Sequence, residues 1–201
     1  DRCTFTGNEA QTTGSGEGGG ALFIDPDFIN PNVNPNVQRN QRVYITNCSF
    51  TNNRAKYGSA IYVKGETSTC SLSDLTFDNN PGANSMLYSS CKGLTLTSSA
   101  FTSTEGTRGI HIATQTTVNF ENIDFRGLHL GQEADFKNGG AVLLMPQESS
   151  NLELLAVDNQ YVFEGCNFTD CIALGGSGGA IYASNIGEIG LFTTKFDNCK
   201  V

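Results

Sequence analysis

The 201-residue chain carries a net charge of -8, from 12 Lys and Arg against 20 Asp and Glu, and has no basic cluster. This composition excludes nucleic acid and anionic membrane as partners, since both need a basic footprint. No apolar run approaches the ~20 residues of a membrane span, and Asp1 opens with neither a basic nor an apolar leader region, so no membrane insertion by this segment is expected.

With 23 Gly and an excess of Ser, Thr and Asn, the chain reads as short strands separated by tight turns, because helix formers never gather at helical period. Seven cysteines without a CxxC spacing point to an oxidising compartment and away from a metal site. Two sequons, at Asn47 (Asn-Cys-Ser) and Asn167 (Asn-Phe-Thr), agree as candidate glycosylation sites. Together they predict an extracellular or cell-surface protein.

From the N-terminus onward one unit recurs. It opens at Cys3-Thr4-Phe5 and is complete at Asn47 to Val63, NCSFTNNRAKYGSAIYV. Its first half is a Phe followed three residues later by Asn; its second is a Gly/Ser pair, a small residue and an apolar alternation. The Phe recurs at 5, 50, 77, 101, 125, 168 and 196, with spacings of 45, 27, 24, 24, 43 and 28 residues. The second half recurs at Gly19, Gly58, Asn84, Arg108, Gly139 and Gly178. A period near 25 residues with short apolar alternations is what one coil of a β-helix needs, each rung lying ~4.8 Å from the last. The prediction is an all-β, single-stranded right-handed parallel β-helix of about 6–7 coils of 24–28 residues, with loop insertions in coils 1 and 5. It forms one domain over residues 1–201, and because both ends fall within repeats the expectation is a segment of a longer chain.

Stacked coils turn equivalent positions into columns. The Phe column is the expected spine of the core. Two residues earlier, the inward column reads Cys3, Cys48, Leu75, Ser99, Ile123, Cys166 and Thr194. Three residues after Phe, at a turn, stand Asn8, Asn53, Asn80, Thr104, Leu128, Cys171 and Cys199. Successive Asn there suggest an amide ladder between coils, the alternative being that Asn merely favours turns.

Columns also pair the cysteines. Cys3 with Cys48 and Cys171 with Cys199 share columns in adjacent coils, at a rung spacing a disulfide accepts. Cys70 with Cys91 is a weaker third pair, leaving Cys166 alone and inward. The alternative for each is a buried thiol packing as a small hydrophobe.

The insertions span Asp25 to Arg42, Leu130 to Asn138 and Met145 to Gln160. Such loops either bind ligands or cover a flank of the core.

Catalysis finds little support. Asp74 and Asp124 share outward parity, but two coils separate them, roughly 10 Å at the rung spacing. His111 and His129 have no triad or zinc spacing, and each Gly-Gly marks a repeated turn, not a phosphate loop. No catalytic residue, cofactor or metal is expected. One outward column stands out: Phe23, Tyr62, Tyr88, His111, Leu143 and Tyr182, an almost continuous aromatic strip. It is a candidate binding face for sugar rings or another subunit, or a sheet-stabilising stack beneath a flanking loop.

The pairing of Phe-x-x-Asn (Phe5/Asn8, Phe50/Asn53, Phe77/Asn80) with Gly-Gly-Ala and an aliphatic residue (Gly19, Gly139, Gly178, and Gly58 with Ser59) resembles the repeats of chlamydial polymorphic outer membrane proteins. The Asn is lost after Asn80, and no translocating barrel is expected within these 201 residues. The resemblance implies an adhesin-like, surface-displayed β-helix. The expected function is therefore a non-enzymatic structural or adhesive module, a subunit of a filament or surface appendage. Its expected partners are copies of itself, neighbouring surface proteins or glycans. The alternative is a polysaccharide-binding or polysaccharide-degrading β-helix, which a groove lined by three or more carboxylates from consecutive coils would favour.

Overall fold

The computed structural model describes residues 2–11, 18–26, 41–65, 67–82, 84–104, 106–113, 117–130, 137–145 and 159–201. Three parallel sheets run the length of the molecule, of 7, 6 and 6 strands, joined by a 2-stranded patch. The first stacks β1 (Thr4–Thr6), β4 (Ser49–Thr51), β7 (Thr76–Asp78), β10 (Ala100–Thr102), β13 (Asp124–Arg126), β17 (Asn167–Thr169) and β21 (Lys195–Asp197). The second stacks β2 (Leu22–Ile24), β5 (Ile61–Val63), β8 (Leu87–Ser89), β11 (Ile110–Ile112), β15 (Val142–Leu144) and β19 (Ile181–Ala183). The third contains β3 (Arg42–Thr46), β6 (Thr69–Ser73), β9 (Gly93–Thr97), β12 (Val118–Glu121), β16 (Gln160–Glu164) and β20 (Glu188–Phe192). Each coil visits the three sheets in turn, so the fold is the parallel β-helix read from the period.

Register follows the repeat. Phe5 pairs with Phe50, Phe50 with Phe77, and so on to Phe168 with Phe196. The seven rings form one stack with centroid separations of 4.3–5.2 Å and interplanar angles of 2–15°. Separations this long between near-parallel planes mean offset stacking, which the ring quadrupoles favour over a face-to-face sandwich. Phe50, Phe77, Phe101, Phe125 and Phe168 are buried. Burying each is worth about 2 kcal/mol.

Two turns are fixed by backbone conformation. Three residues before each Phe the chain has positive φ, at Arg2, Asn47, Asp74, Ser98, Asn122, Gly165 and Thr193. Asn, Asp and Gly tolerate that region, whereas the β-branched Thr193 adopts it at a steric cost. Two residues after Phe a second positive-φ corner recurs at Gly7, Asn52, Asn79, Gly127, Asp170 and Asn198. Coil four lacks this corner at Ser103, and its turn is one residue shorter. The count that placed Thr104 in the turn column with Asn8, Asn53 and Asn80 is corrected accordingly: Ser103 is buried there, while Thr104 is exposed and its backbone N–H donates to Asn79 Oδ1.

The amide ladder is present. Asn8 Nδ2 donates to Asn53 Oδ1 at 2.7 Å and Asn53 Nδ2 to Asn80 Oδ1 at 2.9 Å. The same oxygens accept the backbone N–H of Asn8 (3.1 Å) and Asn53 (3.0 Å), while the amides also donate to Phe5 O and Phe50 O at 3.0 and 2.8 Å. Each Asn thus satisfies a corner of its own coil and its neighbour's, which turn preference alone would not require.

The insertion in coil one lies between β2 and β3, and its residues 27–40 fall outside the described residues. Those of coil five fall outside them at 131–136 and 146–158. Leu130, expected in the loop, belongs instead to β14 (His129–Leu130), which pairs with β18 (Ile172–Ala173) of the next coil.

Candidate functional site

The positive-φ corner before each Phe turns the chain sharply between the third and first sheets. The small outward side chains that follow, Ser49, Thr76 and Ala100, do not fill the notch this leaves. Two shallow cavities of about 380 and 450 Å³ result. The first is lined by Arg2, Thr4, Asn47, Ser49, Asp74 and Thr76, among others, and the second by Asp74, Thr76, Ser98, Asn122 and Asp124. They share Asp74 and Thr76, so they form one polar groove along the helix axis. Over the four rung steps from Thr4 to Asp124 it runs for about 19 Å.

Asp74 and Asp124 both line this groove, as their shared parity predicted, but coil four between them contributes Ser98 and Ala100. Asp124 is held by Asn167 Nδ2 at 2.9 Å and lies 3.8 Å from Arg126. The carboxylates therefore come from alternate coils and from different columns, Asp74 three residues before its Phe and Asp124 one residue before. No cluster of His, Cys, Asp or Glu able to hold a metal occurs among the described residues.

The aromatic column faces outward as expected, and its rings stack: Phe23 on Tyr62 at 5.3 Å and Tyr62 on Tyr88 at 4.4 Å, with His111 edge-on to Tyr88 at 5.0 Å. It is not the open face its parity suggested. Tyr62 and Tyr88 are 7 % exposed, His111 3 % and Leu143 0 %, leaving only Phe23 exposed and Tyr182 half-buried. Tyr57, from the turn after Asn53, packs on Tyr88 at 6.1 Å and, with Ala113, helps close a second small core outside the sheet. Parity identifies the side of a strand a residue occupies; it cannot reveal what lies over that side.

Arg108 is the main residue that motif reading passed over. It occupies the column of the second Gly, with Gly20, Ser59, Ser85, Gly140 and Gly179, and is fully buried. Its Nε donates to Gly139 O at 2.8 Å, Nη1 to Asn84 O at 3.1 Å and Nη2 to Asn138 O at 2.6 Å. The guanidinium ties the corner of its own coil to those on either side. Burial brings Arg108 down to about 9, and burial together with the Arg108 charge pushes His111 down to about 3, so the folded ring is neutral. A charged residue in a column of Gly and Ser was the available sequence signal.

The cysteines correct the pairing drawn from columns. Cys70 and Cys91, the weaker candidate, form a disulfide across a Cα separation of 6.6 Å. Cys3, Cys48, Cys166, Cys171 and Cys199 carry thiols. Residues stacked in register leave the sheet in the same direction, so their sulfurs stand side by side and turn to nearby carbonyls. Cys48 Sγ lies 3.1 Å from Thr46 O, Cys171 Sγ 3.5 Å from Thr169 O and Cys199 Sγ 3.5 Å from Asp197 O. Cys70 lies on the third sheet and Cys91 at the entry to that sheet one coil on, so they approach from different directions. Burial raises the Cys166 thiol, and burial with the neighbouring Cys199 pushes Cys171 up to about 12, which leaves both poor nucleophiles.

Of the two sequons, Asn47 is exposed at its corner, whereas Asn167 is half-buried and committed to Asp124.

Residues 47–64 match the Chlamydia polymorphic membrane protein repeat. The match takes in less than a tenth of the chain, and it falls on the coil that carries both halves of the repeat unit. The resemblance read from the motifs is borne out at this coil. No curated protein and no solved structure matches the chain.

Proposed function

We propose that this chain is a surface-displayed, non-enzymatic β-helical module whose work is mechanical and adhesive: a stiff rod that holds partners at a distance from the cell. The observation that carries this reading is the match of residues 47–64 to a repeat of membrane proteins, on a coil that the rest of the chain copies. Rigidity supports it, since a continuous ring stack and a hydrogen-bonded amide ladder resist bending and shear between rungs. Partners in this reading are further copies of the chain or neighbouring surface proteins.

The test is an antibody raised against the 201-residue chain and applied to intact and permeabilised source cells. Equal labelling of both is the expected result, and labelling only after permeabilisation would overturn surface display. Sedimentation velocity over a wide concentration range tests assembly: filament formation predicts species that grow with concentration, and a constant monomer removes that part of the reading.

A further inference from the structure

We propose that Asn47 carries an N-linked glycan and that Asn167, in the second sequon, does not. The chemistry is transfer of an oligosaccharide from a lipid-linked pyrophosphate donor. Asn47 Nδ2 forms a bond to the anomeric carbon, the bond from that carbon to the pyrophosphate oxygen breaks, and the amide gives up one proton. The proposal rests on the surface-display reading, because only a chain that enters a secretory compartment meets such a donor. Both triplets, Asn47-Cys48-Ser49 and Asn167-Phe168-Thr169, satisfy the pattern, and it is the fold that separates them.

Asn47 occupies the positive-φ corner (φ 52°) between the third and first sheets and is exposed there. Asn is one of the few residues that hold this conformation cheaply, and a sugar on Nδ2 leaves the backbone as it is. A bulky, hydrated group attached at such a corner extends into solvent. The middle residue of the triplet matters as well. A disulfide at Cys48 would pin the triplet to a neighbouring coil, whereas Cys48 keeps its thiol, with Sγ 3.1 Å from Thr46 O. Asn167 stands instead inside β17, half-buried, with Asp124 and Lys195 one rung to either side, ~4.8 Å away. Its Nδ2 donates to Asp124 Oδ1 at 2.9 Å. A sugar on that nitrogen replaces one of the two amide hydrogens and, being about as wide as a rung, presses on both neighbours in the column.

The experiment maps occupancy on the protein purified from its source cells and on the same 201 residues secreted from a eukaryotic host. Trypsin releases Asn47, without Asn167, in the peptide 43–54. Amidase removal of the glycan in heavy-oxygen water then converts each occupied Asn to a labelled Asp. Label at position 47 in most molecules and none at 167 is the expected result in both preparations. Ser49→Ala, which destroys the triplet and leaves Asn47 in place, should abolish the label and lower the mass of the intact chain by one glycan. Thr169→Ala, which destroys the second triplet, should leave that mass free of any glycan loss. An unlabelled Asn47 in the secreted chain, or label at Asn167, overturns the proposal. A source protein without label, where the secreted chain is labelled at Asn47, also overturns it, and antibody labelling of intact cells then shows separately whether surface display falls with it.

Discussion

Replacing Asn80 by Ala removes a fully buried rung of the amide ladder, and the cost follows from the hydrogen bonds it strands. Asn80 Oδ1 accepts from the Asn53 backbone N–H and from Asn53 Nδ2, and Asn80 Nδ2 donates to Phe50 O. Asn53, Asn80 and Phe50 are all 0 % exposed, so water does not replace the lost partner without opening the coil. Three buried polar groups lose partners at about 1–3 kcal/mol each, and a destabilisation of about 4 kcal/mol is expected. With a urea slope of about 2 kcal/mol per M, the midpoint should fall by about 2 M. Asn8→Ala is the internal control, because Asn8 is exposed and its partner Asn53 keeps its bonds to Asn80 and Phe5. Urea unfolding followed by far-ultraviolet circular dichroism should therefore rank Asn8→Ala well below Asn80→Ala, with Asn53→Ala between them. Midpoints are the quantity to compare, since stacked repeats need not unfold in one step. A shift for Asn80→Ala no larger than that for Asn8→Ala would refute the ladder as an energetic element.

Arg108→Ala should lower the urea midpoint by more than 1 M through its stranded carbonyls, whereas Arg126→Ala, which breaks only an exposed pair with Asp124, should shift it little. Peptide mapping without reductant should recover one disulfide, Cys70–Cys91, and alkylation after unfolding should label the other five cysteines. A Cys70→Ser and Cys91→Ser double variant loses about 3 kcal/mol, as the chain model gives for a loop of 21 residues, and a recovered Cys171–Cys199 peptide would contradict the assignment. His111 lies below its unfolded value of 6.5, at about 3 in the folded chain, so the unfolded state binds the proton more readily. Its contribution is complete above pH 6.5 and is lost as pH falls toward 3, at up to about 1.4 kcal/mol per pH unit. Stability measured at pH 7, 5.5 and 4 should thus fall more steeply in the parent than in His111→Leu; parallel curves would show that the ring does not titrate with unfolding.

Residue chemistry at a fixed spacing made half of this architecture legible. A Phe at each coil and an Asn three residues later are conspicuous in the chain, and stacking converts each recurrence into a column, so the first sheet, the second sheet and the ladder could be read directly. The third sheet could not. Its strands RVYIT, TCSLS, GLTLT, VNFE, QYVFE and EIGLF share inward parity and no residue type, so nothing marks them as copies until the coils are stacked.

What the sequence determined by itself is therefore the period, the Phe spine and the direction each strand residue faces, because these depend only on local spacing and the two-residue alternation of a strand. The tertiary structure decided the rest. Burial of Tyr62, Tyr88 and His111 depends on segments that cross the outside of the sheet. The bonding of Cys70 to Cys91 depends on the angle at which two chains approach, and the groove depends on small side chains from several coils falling on one line. Local spacing fixes the side of a strand; approach angle and coverage are properties of the assembled coil.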